Sequence, residues 1–265
     1  MGRPLKQNGP VQKIATHENT IESVHASAAY EVAAGNIRRA IALGRFLPGD
    51  KLPPERELSN QMLVSRTTIR EAVRVLEGEG LIKVRRGATG GLIVMRPARL
   101  STNEMGSYLE VQLDRINSIL DFRIANECFA AKWAAERRTQ PQLDLLEKCV
   151  TAMNGFCAES SMREDVTNIS SFFAADAEFH LTIAEASQNE MIVKAVGDAH
   201  AAMFVPIGRV FKRLENAANS HHEAIFSAIK EQDGQRAAKE IELHIEETRK
   251  SLINLLPPPD AISRA

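Results

Sequence analysis

Apolar and cationic residues alternate in strand fashion at Leu81-Ile82-Lys83-Val84-Arg85. A second short apolar run, Leu92-Ile93-Val94-Met95, follows across the glycine-rich Gly87-Ala88-Thr89-Gly90-Gly91. Past about Leu100 the alternation is gone, and apolar residues recur at three- and four-residue spacings as far as Leu256. One β-hairpin in a chain of 265 residues leaves no material for a sandwich, a barrel or a doubly wound sheet. The expected fold class is mainly α, with the hairpin in the front part of the chain.

Three short helices precede the hairpin. From Tyr30 onward Val32, Ile37, Ala40 and Ile41 share a helical face, and Gly44 stands where a C-terminal cap belongs. Phe46 to Asp50 reads as a turn. Pro53 and Pro54 preset a second helix, Glu55 to about Met62, with Glu55 and Glu57 near its positive end. Ser65 is a good N-cap for a third helix, Arg66 to about Glu77, which Gly78 and Gly80 end. Its Ile69, Val73 and Leu76 share one face, while Arg66, Arg70 and Arg74 form a separate stripe. Three helices and a two-stranded wing make a winged helix-turn-helix, expected over residues 30–97. Ahead of it lies a polar arm, residues 1–29, carrying Arg3, Lys6 and Lys13.

The net charge of -1 conceals an uneven distribution: residues 1–97 carry +6 and the remainder -7. A basic front and an acidic rear direct only the front toward a polyanion. A helix in the major groove of double-stranded DNA needs long cations on one face and apolar anchors on the other, and the third helix has both. Arg66 and Arg70 lie near its N-terminal end, where base edges are reached, and Arg56 meets phosphate or the groove edge. Ser65, Thr67 and Thr68 offer hydroxyls, and Arg86, Gly87 and Thr89 place the wing at the adjacent minor groove.

The stretch FLPGDKLPPERELSNQMLVSRTTIREAVRVLEGEGLIKVRRGATGG resembles the DNA-binding domain of GntR-type transcriptional regulators. The resemblance implies that Arg56, Arg66 and Arg70 touch DNA, with Arg86 and Gly87 at the wing. One departure is Leu63, where the family often has glycine; a left-handed backbone there costs about 1 kcal/mol.

Residues 98–256 read as an antiparallel bundle of six or seven helices, followed by a short tail, 257–265. The strong segments are Arg115 to Arg138, Gln142 to Glu159, Ser170 to Ala186, Asn189 to Leu214 with Pro206 bending it, Ser220 to Gln232, and Gln235 to Leu256. A lesser helix lies between Asn103 and Leu113. Cys128, Cys149 and Cys157 form no CxxC and read as reduced packing residues. No apolar run approaches a membrane span, since Lys194 and Asp198 interrupt the longest candidate, and MGRPLKQNGP lacks a secretory apolar segment. The expected location is the cytoplasm, with no membrane partner.

Within the rear segment Asp176 and His180, four residues apart, offer a carboxylate and an imidazole on one helix face. His222 and His244 lie on two later helices, and three helices of a bundle can converge on one divalent ion, although a histidine taken singly is more often a surface or packing residue than a ligand. DAEFHLTIAEASQN, HHEAIFSAI and AAKEIELHIEETR resemble the all-helical FCD effector domain of the FadR-like subgroup of the GntR family. That resemblance implies a divalent ion on Asp176, His180, His222 and His244, with His221 outside the ligand set. Zinc, nickel and manganese all suit such ligands. It also implies that Arg123 lines a cavity for a small carboxylate or hydroxy acid, the alternative being a salt bridge to Glu127. The resulting expectation is a homodimer on an inverted-repeat operator, a repressor released by its ligand. The competing readings are a ligandless dimerisation bundle and, lacking HExxH or a nucleophile elbow, a metallohydrolase.

Overall fold

The computed structural model describes residues 28–87, 90–214 and 219–256, with only the backbone of Thr102, Asn103, Pro206 and Ile207. The expected roles of the N-terminal arm up to residue 27, of Thr89 in the wing and of the tail 257–265 therefore lie outside the described residues.

In the front unit, α1 (Ala29–Ala42) buries Ala33, Ala34, Ile37 and Ile41, which the helical repeat places on one side. Gly44 follows at φ 71°, donating its N–H to the Ile41 carbonyl, while Arg45 donates to Ala40. The second helix, α2 (Glu55–Met62), starts after Pro54 and buries only Leu58. Leu63 then turns the chain with φ 54° and ψ 39°, the left-handed conformation. Ser65 caps α3 (Arg66–Gly78) by accepting from the Thr68 N–H at 3.0 Å, and Ile69, Ala72, Val73 and Leu76 form its buried face.

The wing pairs β1 (Ile82–Arg85) antiparallel with β2 (Gly91–Val94) in the register Ile82 to Val94, Lys83 to Ile93, Val84 to Leu92 and Arg85 to Gly91. The segment read as a plain turn does more than that. After the turn, Gly49 and Leu52 donate to the Val94 and Leu92 carbonyls and Val94 donates to Asp50, so residues 49–52 line the second edge of β2.

The rear unit contains α4 (Thr102–Arg137), α5 (Gln140–Cys157), α6 (Ser160–Glu164), α7 (Val166–Ala186), α8 (Glu190–Val210), α9 (Ser220–Lys230) and α10 (Gly234–Ile253). Here the expected breaks move. The lesser helix and the first strong helix are one continuous α4, opened by a Ser101–Glu104 capping box. Nothing between residues 107 and 137 is a glycine or proline, and the polar Asp114-Arg115 pair sits on the helix surface without ending it. The short α6 was not expected. Asp165 accepts from the Thr167 and Asn168 N–H groups at 2.8 Å, so α7 begins at Val166 rather than at Ser170. The last three helices are all shorter at their C-terminal ends than periodicity suggested.

Helix α8 is, contrary to the sequence reading, long and apolar enough to match a membrane span by length and composition. It packs against α1, α4 and α7, with Val196, Ala199 and Met203 buried. The three cysteines are free thiols, Cys149 and Cys157 buried; burial raises Cys128 and Cys149 to about 11.

The head rests on the bundle of its own chain. Helix α1 lies along α8, Arg39 pairs with Asp198, and Phe204 of α8 packs against the head's core. Gly44 abuts Ala174 of α7 so closely that a Cβ at residue 44 would collide with the alanine methyl. Glycine is required there twice over, by its positive φ and by this approach.

Candidate functional site

Two polar regions stand out, one on the head's surface and one inside the bundle. On the head, Arg56, Ser65, Arg66, Thr67 and Arg70 are exposed, as are Arg86 and Gly87 of the wing, and Thr68 is half-buried. Arg66, Arg70 and Arg74 are four residues apart on α3 and form an exposed stripe beside the buried Ile69–Val73–Leu76 face. The Ser65 and Thr68 hydroxyls lie 2.8 Å apart, and Arg70 reaches Thr67 Oγ1 at 3.4 Å. These cations are exposed, which leaves them open to phosphate.

Inside the bundle α4, α7, α8, α9 and α10 each contribute to one polar centre. One ligand atom from each of Asp176, His180, His222 and His244 lies within 4.8 Å of the others. Bonds of about 2.1 Å place opposite ligands about 4.2 Å apart, so a small contraction completes the set around one ion. His222 Nε2 is 2.9 Å from Asp176 Oδ1, and His180 Nε2 is 3.8 Å from the same oxygen. His180 Nε2 and His222 Nδ1 are buried without hydrogen-bond partners among the described residues. Bare imidazole nitrogens around a carboxylate are what a divalent cation satisfies.

The protonation states agree with that chemistry. Burial drives His222 and His244 below the ordinary histidine value; the Asp176 bond resists this at His222, and neighbouring His222 and His180 reinforce it at His244. Burial works against the charge of Asp176, yet the His222 bond and the fields of His180, His222 and His200 hold its carboxyl below the ordinary range. Neutral imidazoles beside an ionised carboxylate are the ligand forms metal binding needs.

Arg123 and Glu127 form a buried pair, Nε to Oε1 at 2.6 Å and Nη2 to Oε2 at 3.4 Å, the ion-pair alternative weighed for Arg123. Arg123 nonetheless borders cavities on both sides of the centre. One, of about 1050 Å³, is bordered by His221, His222, His244 and Thr248; the other, of about 750 Å³, lies under Phe46 and Leu47 of the head.

One member of the centre escaped the sequence reading, and another, Glu127, was read only as a salt-bridge partner of Arg123. His200 of α8 is buried with Nε2 3.3 Å from Glu127 Oε1, and Glu127 itself approaches His180. Burial and the Arg123 charge push His200 down to about 4 against the pull of Glu127. His200 stands four residues after Val196 and three before Met203, on the inward face of α8, and that polar interruption was the available signal.

Residues 29–89 match the bacterial regulatory proteins of the gntR family, and residues 118–247 match the FCD domain. The chain is 28% identical over 229 residues to the Uxu operon regulator of Haemophilus influenzae, spanning 83% of this chain and 80% of that protein. It is 29% identical over 206 residues to the Galactonate operon transcriptional repressor of Escherichia coli, spanning 75% and 86%. Among solved structures, E. coli McbR/YncC shares the fold with a TM-score of 0.51 at 17% identity, over 86% of this chain and 98% of that one. A winged head with an exposed cationic helix, joined to an FCD bundle, makes the chain a member of the GntR family of bacterial transcriptional regulators, a DNA-binding protein and not an enzyme.

Proposed function

We propose that the protein works in the cytoplasm as a homodimeric repressor whose grip on an inverted-repeat operator is released by a small hydroxy acid. The acid binds beside a divalent cation held by Asp176, His180, His222 and His244. The observation that carries this reading is the convergence of those four side chains from three helices within 4.8 Å, next to a cavity of about 1050 Å³. A cation bound there supplies a Lewis-acidic anchor for carboxylate and hydroxyl oxygens, and zinc, nickel and manganese all suit the ligands. Arg123 spends two of its five N–H donors on Glu127 and keeps the others for the acid's carboxylate. Ser220, His221, Thr248 and Ser251 border the same cavity and match hydroxyl groups. The relative named for a galactonate operon supports a hydroxylated acid.

On the DNA side, Arg66 and Arg70 take base edges, and Arg56, Ser65, Thr67 and Thr68 take phosphate. Arg86, Gly87 and Thr89 serve the minor groove. Dimerisation is supported by the outward face of α4, where Val111, Phe122 and Phe129 are 80%, 47% and 56% exposed at spacings close to whole helical turns. Induction of tenfold to a hundredfold requires only about 1.4 to 2.8 kcal/mol of coupling.

Metal content is the direct test. Purified wild-type protein retains a divalent ion, His222→Ala and His244→Ala lose most of it, and unchanged stoichiometry removes those residues from the ligand set. A thermal-shift screen of organic acids with metal present then finds stabilising ligands; a bundle that responds to neither metal nor acid is a dimerisation module only.

A further inference from the structure

Glu127 occupies an unusual position behind the ligand set. Its Oε2 lies 2.6 Å from His180 Nδ1, off the line of an ideal N–H···O bond, while Oε1 lies 2.6 Å from Arg123 Nε and 3.3 Å from His200 Nε2. Glu127 is 1% exposed and His180 1% exposed, so no solvent competes for either group. Glu127, His180 and His200 are also close enough to suggest a second cation site. The Arg123 guanidinium excludes that option, because it already bonds the same carboxylate and would face a dication across it.

We propose that Glu127 is a positioning residue for the metal centre: its carboxylate accepts a hydrogen bond from the Nδ1–H of His180, keeps the proton there, and thereby commits Nε2, on the far edge of the ring, to the cation. Neutral imidazole carries one proton, and whichever nitrogen holds it cannot ligate. A carboxylate at Nδ1 decides the matter, raises the basicity of Nε2 and limits ring rotation. Arg123 balances the buried charge of Glu127, and His200 packs on the other side of the pair with its ring 4.8 Å from that of His180. A bond closer to the N–H axis needs only a modest turn of the ring.

This inference rests on the metal reading above, and zinc alone is the probe. In the full-length zinc-loaded protein, nitrogen-15 NMR of the histidine rings reads the tautomer without any substitution: His180 carries its proton on Nδ1. Zinc competition against a chelating dye reads affinity. Glu127→Gln alone leaves Arg123 buried and unpaired, so Arg123→Gln/Glu127→Gln, which removes both charges together, is measured beside it. The double variant melts cooperatively, still binds one zinc, and binds it 10- to 100-fold more weakly. A His180 protonated on Nε2, or a folded double variant within twofold of wild-type affinity, overturns the role of Glu127. A wild-type chain that takes up no zinc overturns the metal reading itself.

Discussion

Leu63 holds a left-handed backbone with 92% of its surface in solvent, so its side chain recovers little of the conformational cost. Leu63→Gly removes that strain, and the gain, after subtracting the greater freedom of glycine in the unfolded chain, is below about 1 kcal/mol. Urea denaturation should show a higher midpoint for the variant with an unchanged slope. At the polar centre the sign of the pH effect follows from depressed histidines. His200 is neutral in the folded protein down to about 4 and protonates near 6.5 when unfolded. Between those values the unfolded chain binds more protons, so stability is complete above about 6.5 and falls as the pH drops toward 4. His200 alone accounts for on the order of 3 kcal/mol, and His222 and His244 act in the same direction. Melting of metal-stripped protein across that range checks it; a flat profile contradicts the neutral, buried assignment.

The elements differ in how openly the sequence announces them. Helices α2 and α3 were legible almost to the residue because their signals are local: Pro54 and Ser65 open them, while the turn at Leu63 and the glycines at 78 and 80 close them. The join at Asp114-Arg115 misled because surface polarity mimics a loop when nothing nearby tests the backbone; the contacts of α4 with α7, α8, α9 and α10 sustain it as one helix. Residues 49–52 hid for a related reason, since their pairing with β2 is made by partners some forty residues away. Within the site, Asp176 and His180 were visible through their spacing of four, whereas His200 has no ligating neighbour on its own helix and becomes a partner only when α8 packs against α4. The stripe on α3 carries its own prediction. Arg70→Glu reverses a charge on the exposed stripe of α3 without touching Ile69 or Val73, so circular dichroism and hydrodynamic size stay unchanged while gel shift shows operator binding lost. Retained binding would mean that another surface reads the DNA.

At the scale of the whole molecule the head and the polar centre meet across α7 and α8. Gly44 rests on Ala174, and Asp176 lies two residues further along α7, so a shift of that helix reaches the head without passing through residues 96–100. Gly44→Ala forces the head off α7. Gly49→Ala is the matched control, because Gly49 also has a positive φ, at 99°, but has nothing within 4 Å of where its Cβ would sit. Both variants incur about 1 kcal/mol of backbone strain. On the proposed function, only Gly44→Ala should blunt the release of operator by an acid, read as the ratio of gel-shift affinities with and without it. Equal ratios in the two variants would place the communication elsewhere.

The seat of the head on α7 and α8 also limits how such proteins can be recombined. Grafting this winged unit onto a foreign bundle at residue 97 transplants the grip on DNA and leaves behind the surface it leans on. If the proposed function holds, such a hybrid occupies its promoter yet stays deaf to any metabolite, until the patch around Ala174, Asp198 and Phe204 is carried across as well.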